Sequence, residues 1–428
     1  MNNSDKKALI EQILRHDLTF DEYIGPSIHR IHGFAAKFPP ELPRYFVNKL
    51  SESNDVILDP MVGSGTTLVE SLILKRKAIG IDLDPLALLQ SRVKTQYYDP
   101  NKIKSISKTI AYEVSVELME KGYPEEERDV DKYLIDYDEK TKNFFKYWFF
   151  PKTIAELKLL SEKIKDINNQ TLKSCLELAF SATIIQKRSG VSRAIDLTHT
   201  RPHRDLDKIP QPAPPFFIKN ANKIADAYKE MEKYAINYDD VKLLSSDARN
   251  IPLDNESVDL IVTSPPYANA LDYMRAHKFS LSWLGYDIPS LSDLRGKYIG
   301  SEKSAQEIDI NLDTLYTSLT KLEKIDPKKA NIFRKYFHEM KLSIKEMYRV
   351  LRSNRYAVII VGPSTSRNIP IMTHGGLAEI SQQEGFTLIG LKKREIDRDS
   401  RHLPFNKETE NEGIEARIHT EYALIVEK

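Results

Sequence analysis

Three short stretches carry residue types that could do chemistry together. Ser264-Pro265-Pro266-Tyr267 follows the apolar run Leu260-Ile261-Val262. Two successive prolines fix the backbone and remove two N–H donors. Carbonyl oxygen, the Ser264 hydroxyl and the Tyr267 ring remain, forming an acceptor-rich pocket with an aromatic wall. Such a pocket suits a planar heterocycle bearing an exocyclic amine, which donates hydrogen bonds while its ring stacks. The plainer alternative is a proline turn with a core tyrosine. Upstream, Asp59-Pro60-Met61-Val62-Gly63-Ser64-Gly65-Thr66-Thr67 follows Val56-Ile57-Leu58. Glycines at that point let a backbone approach a ligand and turn into a helix. The stretch lacks the Gly-Lys-Ser/Thr ending of a phosphate loop and does not fit Gly-x-Gly-x-x-Gly. A tight turn without a ligand is the alternative. Asp82, about 20 residues beyond the glycines, suits acceptance from both hydroxyls of a ribose. Asp84, directly before Pro85, suits helix capping better.

The elements around these stretches must bring them together. Val56–Leu58, a glycine turn, a helix over Thr66–Lys75 and a strand over Ala78–Ile81 form a βαβ unit. Helical spacing then dominates: Ile103–Glu120, Glu139–Tyr147, Ile154–Ile167, Leu172–Lys187 and Asn220–Tyr234, with a proline-rich ordered loop over Thr198–Pro215. Strands return at Val241–Leu244, Val258–Val262, Tyr356–Val361, Thr387–Lys392 and Thr420–Val426. Helices are predicted at Leu271–Leu284, Asn331–Leu351 and His374–Glu384. Roughly 160 residues separate the second strand from the third, far beyond the usual connection of about 2–6. The pattern predicts a Rossmann-like, doubly wound, mostly parallel α/β sheet with a large helical insertion. It divides the chain into a cofactor-binding half (1–99), an insertion (100–240) and a catalytic half (241–428). Ligands of such sheets sit at the carboxyl ends of the strands, so Asp59–Gly65, Asp82, Asp247 and Ser264–Tyr267 should line one edge.

Asp59–Thr67 together with Ser264–Tyr267 resembles the amino-group DNA methyltransferases, whose motifs have the forms Asp-Pro-Phe-x-Gly-Ser-Gly-Thr-Thr and Asp/Asn/Ser-Pro-Pro-Tyr/Phe. Met61 replaces the usual phenylalanine. The segment His32–Pro43 resembles the one that closes over the methionine part of the cofactor in this family, and Asp247-Ala248 matches the position near the adenine. The resemblance spans about Ser27–Arg92 and Val241–Lys428. It implies S-adenosylmethionine as cofactor, held by Phe38, Pro39, Asp59, Pro60, Met61, Gly63, Ser64, Gly65, Thr66, Thr67, Asp82, Leu83, Asp247 and Ala248. It implies methyl transfer at Ser264, Pro265, Pro266 and Tyr267, double-stranded DNA as substrate, and a cognate restriction endonuclease as a possible partner. The serine form of the catalytic motif is typical of N4-methylcytosine. N6-adenine methylation, RNA methylation and a silent binding module are the alternatives.

Composition sets the outer limits. The chain has 428 residues and a net charge of +1, so global charge names no polyanion partner. Local clusters could: Lys187, Arg188, Arg193, Arg201 and Arg204 at the end of the insertion, Arg275 past the catalytic motif, and Lys392–Arg394 with Arg398–His402. A solvated helix end is the alternative for the first. The lone cysteine, Cys175, excludes an intrachain disulfide, and its apolar helical setting predicts a core residue. A Pro-Cys nucleophile of the kind C5-cytosine methylation needs is absent. Metal is not expected: Pro202 interrupts the His199/His203 pair, and no third ligand is near. A polar N-terminus and the lack of a long apolar run predict a cytoplasmic protein without a membrane span.

Overall fold

In the computed structural model the described residues are 3–20, 23–34, 37–185, 190–195, 203–268, 273–301, 310–395 and 420–428. Nine strands are described: β1 (Val56–Asp59), β2 (Lys77–Asp82), β3 (Val241–Ser245), β4 (Val258–Thr263), β5 (Leu351–Val361), β6 (Ser364–Ser366), β7 (Ile369–Ile371), β8 (Thr387–Glu395) and β9 (Thr420–Glu427). Seven form one sheet in the order β3-β2-β1-β4-β5-β9-β8, and β6 and β7 form a small ribbon. β3, β2, β1, β4 and β5 pair in parallel, whereas β9 runs antiparallel to both neighbours. The strand order turns back on itself between β1 and β4, which opens a crevice beyond their carboxyl ends.

The sheet is covered on both faces, and the side-chain alternation of the strands decides which residue goes where. Leu58, Ile261, Ala357, Ile359 and Leu424 pack beneath α12 (Asp313–Ile325), α13 (Pro327–Val350) and α14 (Thr373–Gln383). Their neighbours Ile57, Leu260, Val262, Val358 and Ile425 face α1 (Asn3–Arg15) and α2 (Glu41–Leu50). Every residue of β4 is buried, including Asp259, whose carboxylate is paired with Arg352 and Arg355.

The helix α3 (Thr66–Ile73) connects β1 to β2. Between β2 and β3 the chain forms α4 (Pro85–Lys94), α5 (Pro100–Lys121), α6 (Glu139–Trp148), α7 (Pro151–Lys165), α8 (Gln170–Ile184) and α9 (Ala213–Met231). Their apolar faces form one cluster, which also takes in Val69, Leu86 and Val93 near the sheet. It continues into α10 (Tyr273–Trp283) and α11 (Ile288–Lys297) through Phe279, Trp283 and Leu291. Trp283 stacks on Phe145 at 3.9 Å. The helical region is thus joined to the sheet by a continuous core.

Several elements differ from the sequence expectation. α9 begins at Ala213 rather than Asn220, because Pro214 and Pro215 fit a first turn, where no N–H is needed. α8 ends at Ile184. The spacing predicts none of α1, α2, α11, α12 or the β6–β7 ribbon. α1 is short and highly charged, and its packing against β8 relies on Leu14 lying over Gly390, where a Cβ would come within 2.4 Å of Leu14 Cδ2.

Candidate active site

A cleft of about 1510 Å³, including the solvent at its mouth, lies beyond the carboxyl ends of β3, β2, β1 and β4. Asp59, Pro60, Met61, Gly63 and Ser64 line it from β1, Asp82 and Leu83 from β2, Asp247 and Ala248 from β3, and Ser264, Pro266 and Tyr267 from β4; Phe38 closes it from the N-terminal segment. Pro39, Gly65, Thr66, Thr67 and Pro265 are not among its lining residues.

The β1 turn is held from below. Asp59 is buried and accepts from Thr67 Oγ1 at 2.7 Å, Thr263 Oγ1 at 2.7 Å and Met61 N at 3.2 Å. One carboxylate therefore ties the ends of β1 and β4 to the start of α3. Burial pushes its pKa up to about 6, against the pull of the threonine hydrogen bonds. Gly65 has φ +79°, and a Cβ there would meet Ser91 Cα at 2.9 Å. Only glycine lets the turn lie this close to α4. Lys94, buried in α4, donates to Ser64 O at 2.7 Å.

Asp82 is oriented by two backbone donors, Gly63 N at 2.9 Å and Asp84 N at 2.9 Å. Burial, followed by the nearby Asp84 charge, raises its pKa to about 7. Asp84 caps α4 through Leu86 N at 2.8 Å and also pairs with His277 Nδ1 at 2.5 Å. His277 belongs to α10, so the second strand's loop grips the helix that follows the catalytic motif. Phe34 packs against His277 and Tyr273, with centroids at 5.2 and 5.8 Å, and lies over Gly63. Asp247 is paired with Arg249 at 2.6 Å; burial alone would raise its carboxyl, but the arginine hydrogen bonds hold it below the ordinary range.

At β4, Tyr267 donates to Glu421 Oε1 at 2.9 Å. Glu421 in turn meets Arg394 at 3.4 Å, and Arg394 meets Glu41 at 3.2 Å. Burial, then the Glu421 charge, pushes the phenol well above its usual range, so it stays a neutral donor. The tyrosine ring is thereby fixed by β9, β8 and α2. Ser264 lines the cleft together with Pro266 and Tyr267.

Phe34, within the His32–Pro43 segment expected to close over the cofactor, lines the cleft, whereas sequence reasoning missed Tyr273, Arg295 and the run Tyr298–Ser301. That run is fastened by Arg249 on Lys297 O at 2.7 Å, Glu339 on Gly300 N at 2.8 Å and Lys335 on Ser301 O at 3.0 Å. No motif signals such a strap; its residues meet the cleft only through long-range packing. Arg275 lines the cleft.

Among the other basic candidates, Arg193 and Arg204 come together on a short antiparallel bridge. Asp205 N donates to Arg193 O at 2.9 Å, and Ala194 pairs with Arg204. Arg193 stacks over Phe150 at 3.9 Å and Arg204 over Tyr147 at 4.5 Å. On β8, Lys392 donates to Leu14 O at 2.9 Å and Lys393 pairs with Glu395 at 2.7 Å. Lys187, Arg188, Arg201 and Arg398–His402 fall outside the described residues. Cys175 is buried against Tyr228 Oη at 3.3 Å, and burial pushes its thiol up to about 12, which suits a core residue and not a nucleophile. Among the described residues no group of three metal-ligating side chains occurs, and no helix is long and apolar enough to cross a membrane.

Residues 5–92 match the N6/N4 methyltransferase family model, described as DNA methylase. The chain is similar to the type II methyltransferase M.MjaII of Methanocaldococcus jannaschii, 25% identical over 78% of this chain and 78% of that one. It is also similar to M.MvaI of Kocuria varians, 25% identical over 88% and 87% of the two chains, and to M.BsoBI of Geobacillus stearothermophilus, 27% identical over 63% and 55%. A Rossmann-like sheet with a cleft at its switch point is the arrangement in which nucleotide cofactors bind. Over residues 5–92 the chain matches the N6/N4 DNA methylase model, and over most of its length it is similar to type II DNA methyltransferases. The cleft suits S-adenosylmethionine: a backbone-oriented carboxylate at Asp82, apolar walls from Phe34, Phe38 and Leu83, and a glycine turn at Gly63.

Proposed function

We propose that this protein methylates the exocyclic N4 amine of cytosine in double-stranded DNA, as the modification enzyme of a restriction-modification system in the cytoplasm. The observation that carries the reading is the shared cleft: Ser264, Pro266 and Tyr267 line it together with Asp82 and Gly63. When bound, S-adenosylmethionine supplies an electrophilic methyl group activated by its sulfonium charge. The chain supplies alignment and charge placement. The Ser264 hydroxyl and a main-chain carbonyl of the two prolines accept hydrogen bonds from the amine. This draws the nitrogen lone pair out of conjugation with the ring. Tyr267, clamped by Glu421, provides the face on which the base stacks. A base inside a duplex cannot reach this cleft, so the target nucleotide is flipped out. Asp82 receives the ribose hydroxyls, and Phe38 with Pro39 closes over the methionine end. The unit 241–428 performs the transfer, 1–99 holds the cofactor, and the insertion 100–240 contacts DNA through Arg193 and Arg204, whose aromatic stacking keeps their guanidinium planes oriented towards phosphates.

The test is transfer of tritium from methyl-labelled S-adenosylmethionine to plasmid DNA, with Ser264→Ala in parallel. Label transferred to DNA by the wild type, at a rate about tenfold or more above that of the variant, supports the reading. Equal transfer by both removes Ser264 from the mechanism, and no transfer to DNA by the wild type rejects the function.

A further inference from the structure

A cluster of cations flanks the cleft at a place that no sequence motif marks. Arg30 and Lys37 belong to the N-terminal segment, and Lys219 and Lys223 stand one turn apart on α9. The two elements are stitched together by Ser27 N, which donates to Glu230 Oε2 at 3.0 Å. Lys37 lies between Phe34 and Phe38, both of which line the cleft. Its ammonium donates to His29 O at 2.7 Å, and Arg30 donates to Gly25 O at 2.9 Å. Arg30, Lys219 and Lys223 are exposed. None of the four forms an ion pair with the described residues.

Carboxylates close to the four in sequence are already engaged. Glu41 is paired with Arg394 at 3.2 Å, Asp226 with Lys104 at 2.6 Å, and Glu230 with Lys233 at 3.3 Å. The cations also act on one another: burial, then Arg30 and Lys223, lowers the Lys37 ammonium to about 8, and burial, then Arg30 and Lys219, lowers that of Lys223. A folded protein gathers like charges without counterions at a cost, which an anionic ligand removes.

We propose that Arg30, Lys37, Lys219 and Lys223 form a phosphate-binding face for the DNA backbone beside the cleft. Lys37 stands between two residues that line the cleft, and Lys219 and Lys223 are exposed on the helix that Ser27 joins to the same segment, so the four suit a polyanion better than a small anion. The single carboxylate of a cofactor inside the cleft would not need the two lysines on α9. This inference rests on the reading of the chain as a DNA methyltransferase. It deepens that reading by giving the N-terminal segment two tasks, closing over the cofactor and positioning the duplex, with Lys37 at the junction.

The test is fluorescence anisotropy of a labelled random duplex, titrated between about 50 and 200 mM NaCl, with Lys219→Gln/Lys223→Gln and Lys219→Arg/Lys223→Arg. S-adenosylhomocysteine affinity, measured in parallel, reports an intact cleft. The glutamine pair should flatten the slope of log K against log salt by about two, one for each phosphate no longer neutralised. The arginine pair should keep the slope, and all three proteins should bind S-adenosylhomocysteine alike. An unchanged slope in the glutamine pair overturns the proposal while leaving methyl transfer to DNA untouched. A slope flattened equally in the arginine pair also overturns it, because the effect would then follow packing and not charge. A wild type that neither binds nor methylates DNA overturns the parent reading as well.

Discussion

Asp82 should make cofactor binding depend on pH within the neutral range. Its carboxylate accepts from Gly63 N and Asp84 N, and only the ionised form can also accept from two ribose hydroxyls. Burial raises its pKa to about 7, with the neighbouring Asp84 charge adding to the shift. With that value, about ten elevenths of the molecules are ionised at pH 8 and about one eleventh at pH 6. The Kd for S-adenosylhomocysteine should therefore weaken about tenfold between pH 8 and pH 6, which corresponds to about 1.4 kcal/mol. Stability of the free protein follows the opposite course. Because the folded pKa is raised, the contribution of Asp82 is fully present below the ordinary carboxylate pKa and is lost as pH rises through about 7. Isothermal titration across this range, with Asp82→Asn alongside, is the assay. The variant should bind more weakly at pH 8 and show a flat profile. A wild-type Kd that is constant from pH 6 to 8, or a variant that keeps the slope, would refute the argument.

Ser264→Ala removes a hydroxyl offered to a nitrogen that gains positive charge. Its kcat should fall about 10- to 150-fold, the worth of a hydrogen bond of about 1.5–3 kcal/mol to a charged group, with S-adenosylhomocysteine affinity unchanged in titration calorimetry. Gly65→Ala forces a Cβ to within 2.9 Å of Ser91 Cα at φ +79°. It should cost about 2–4 kcal/mol in urea unfolding, and a cost below about 0.5 kcal/mol would mean the turn is not closely packed. Glu70 is buried and accepts from His29 at 2.7 Å, Arg44 at 3.2 Å and Tyr23 at 3.0 Å. Glu70→Gln leaves those donors facing a neutral amide and should destabilise by about 3 kcal/mol, read from the shift in urea midpoint.

The parts legible in the sequence are those whose signals are local. Val56–Leu58 followed by Gly63 and Gly65, Asp82 after Ala78–Ile81, and Ser264–Tyr267 after Leu260–Val262 can each be read from composition and spacing, because a buried strand and a glycine or proline turn are both short-range features. Reading them as strand ends places them at one sheet edge without coordinates. Glu421 is not legible as the partner of Tyr267, since it lies 154 residues away on an antiparallel strand. The Tyr298–Ser301 strap is hidden for the same reason: its place depends on Arg249, Glu339 and Lys335, none of them near it in sequence. Asp84 is legible as a helix cap, but not as the partner of His277. The basic face beside the cleft is invisible because its four cations come in two pairs about 190 residues apart, and neither pair stands out from a chain with 63 lysines and arginines.

The central claim is the identity of the methylated atom. Duplex DNA incubated with the protein and methyl-labelled S-adenosylmethionine, digested to nucleosides and resolved by mass spectrometry, decides it. Labelled N4-methylcytosine is the predicted product. Labelled N6-methyladenine in its place, or DNA without label, would contradict the account.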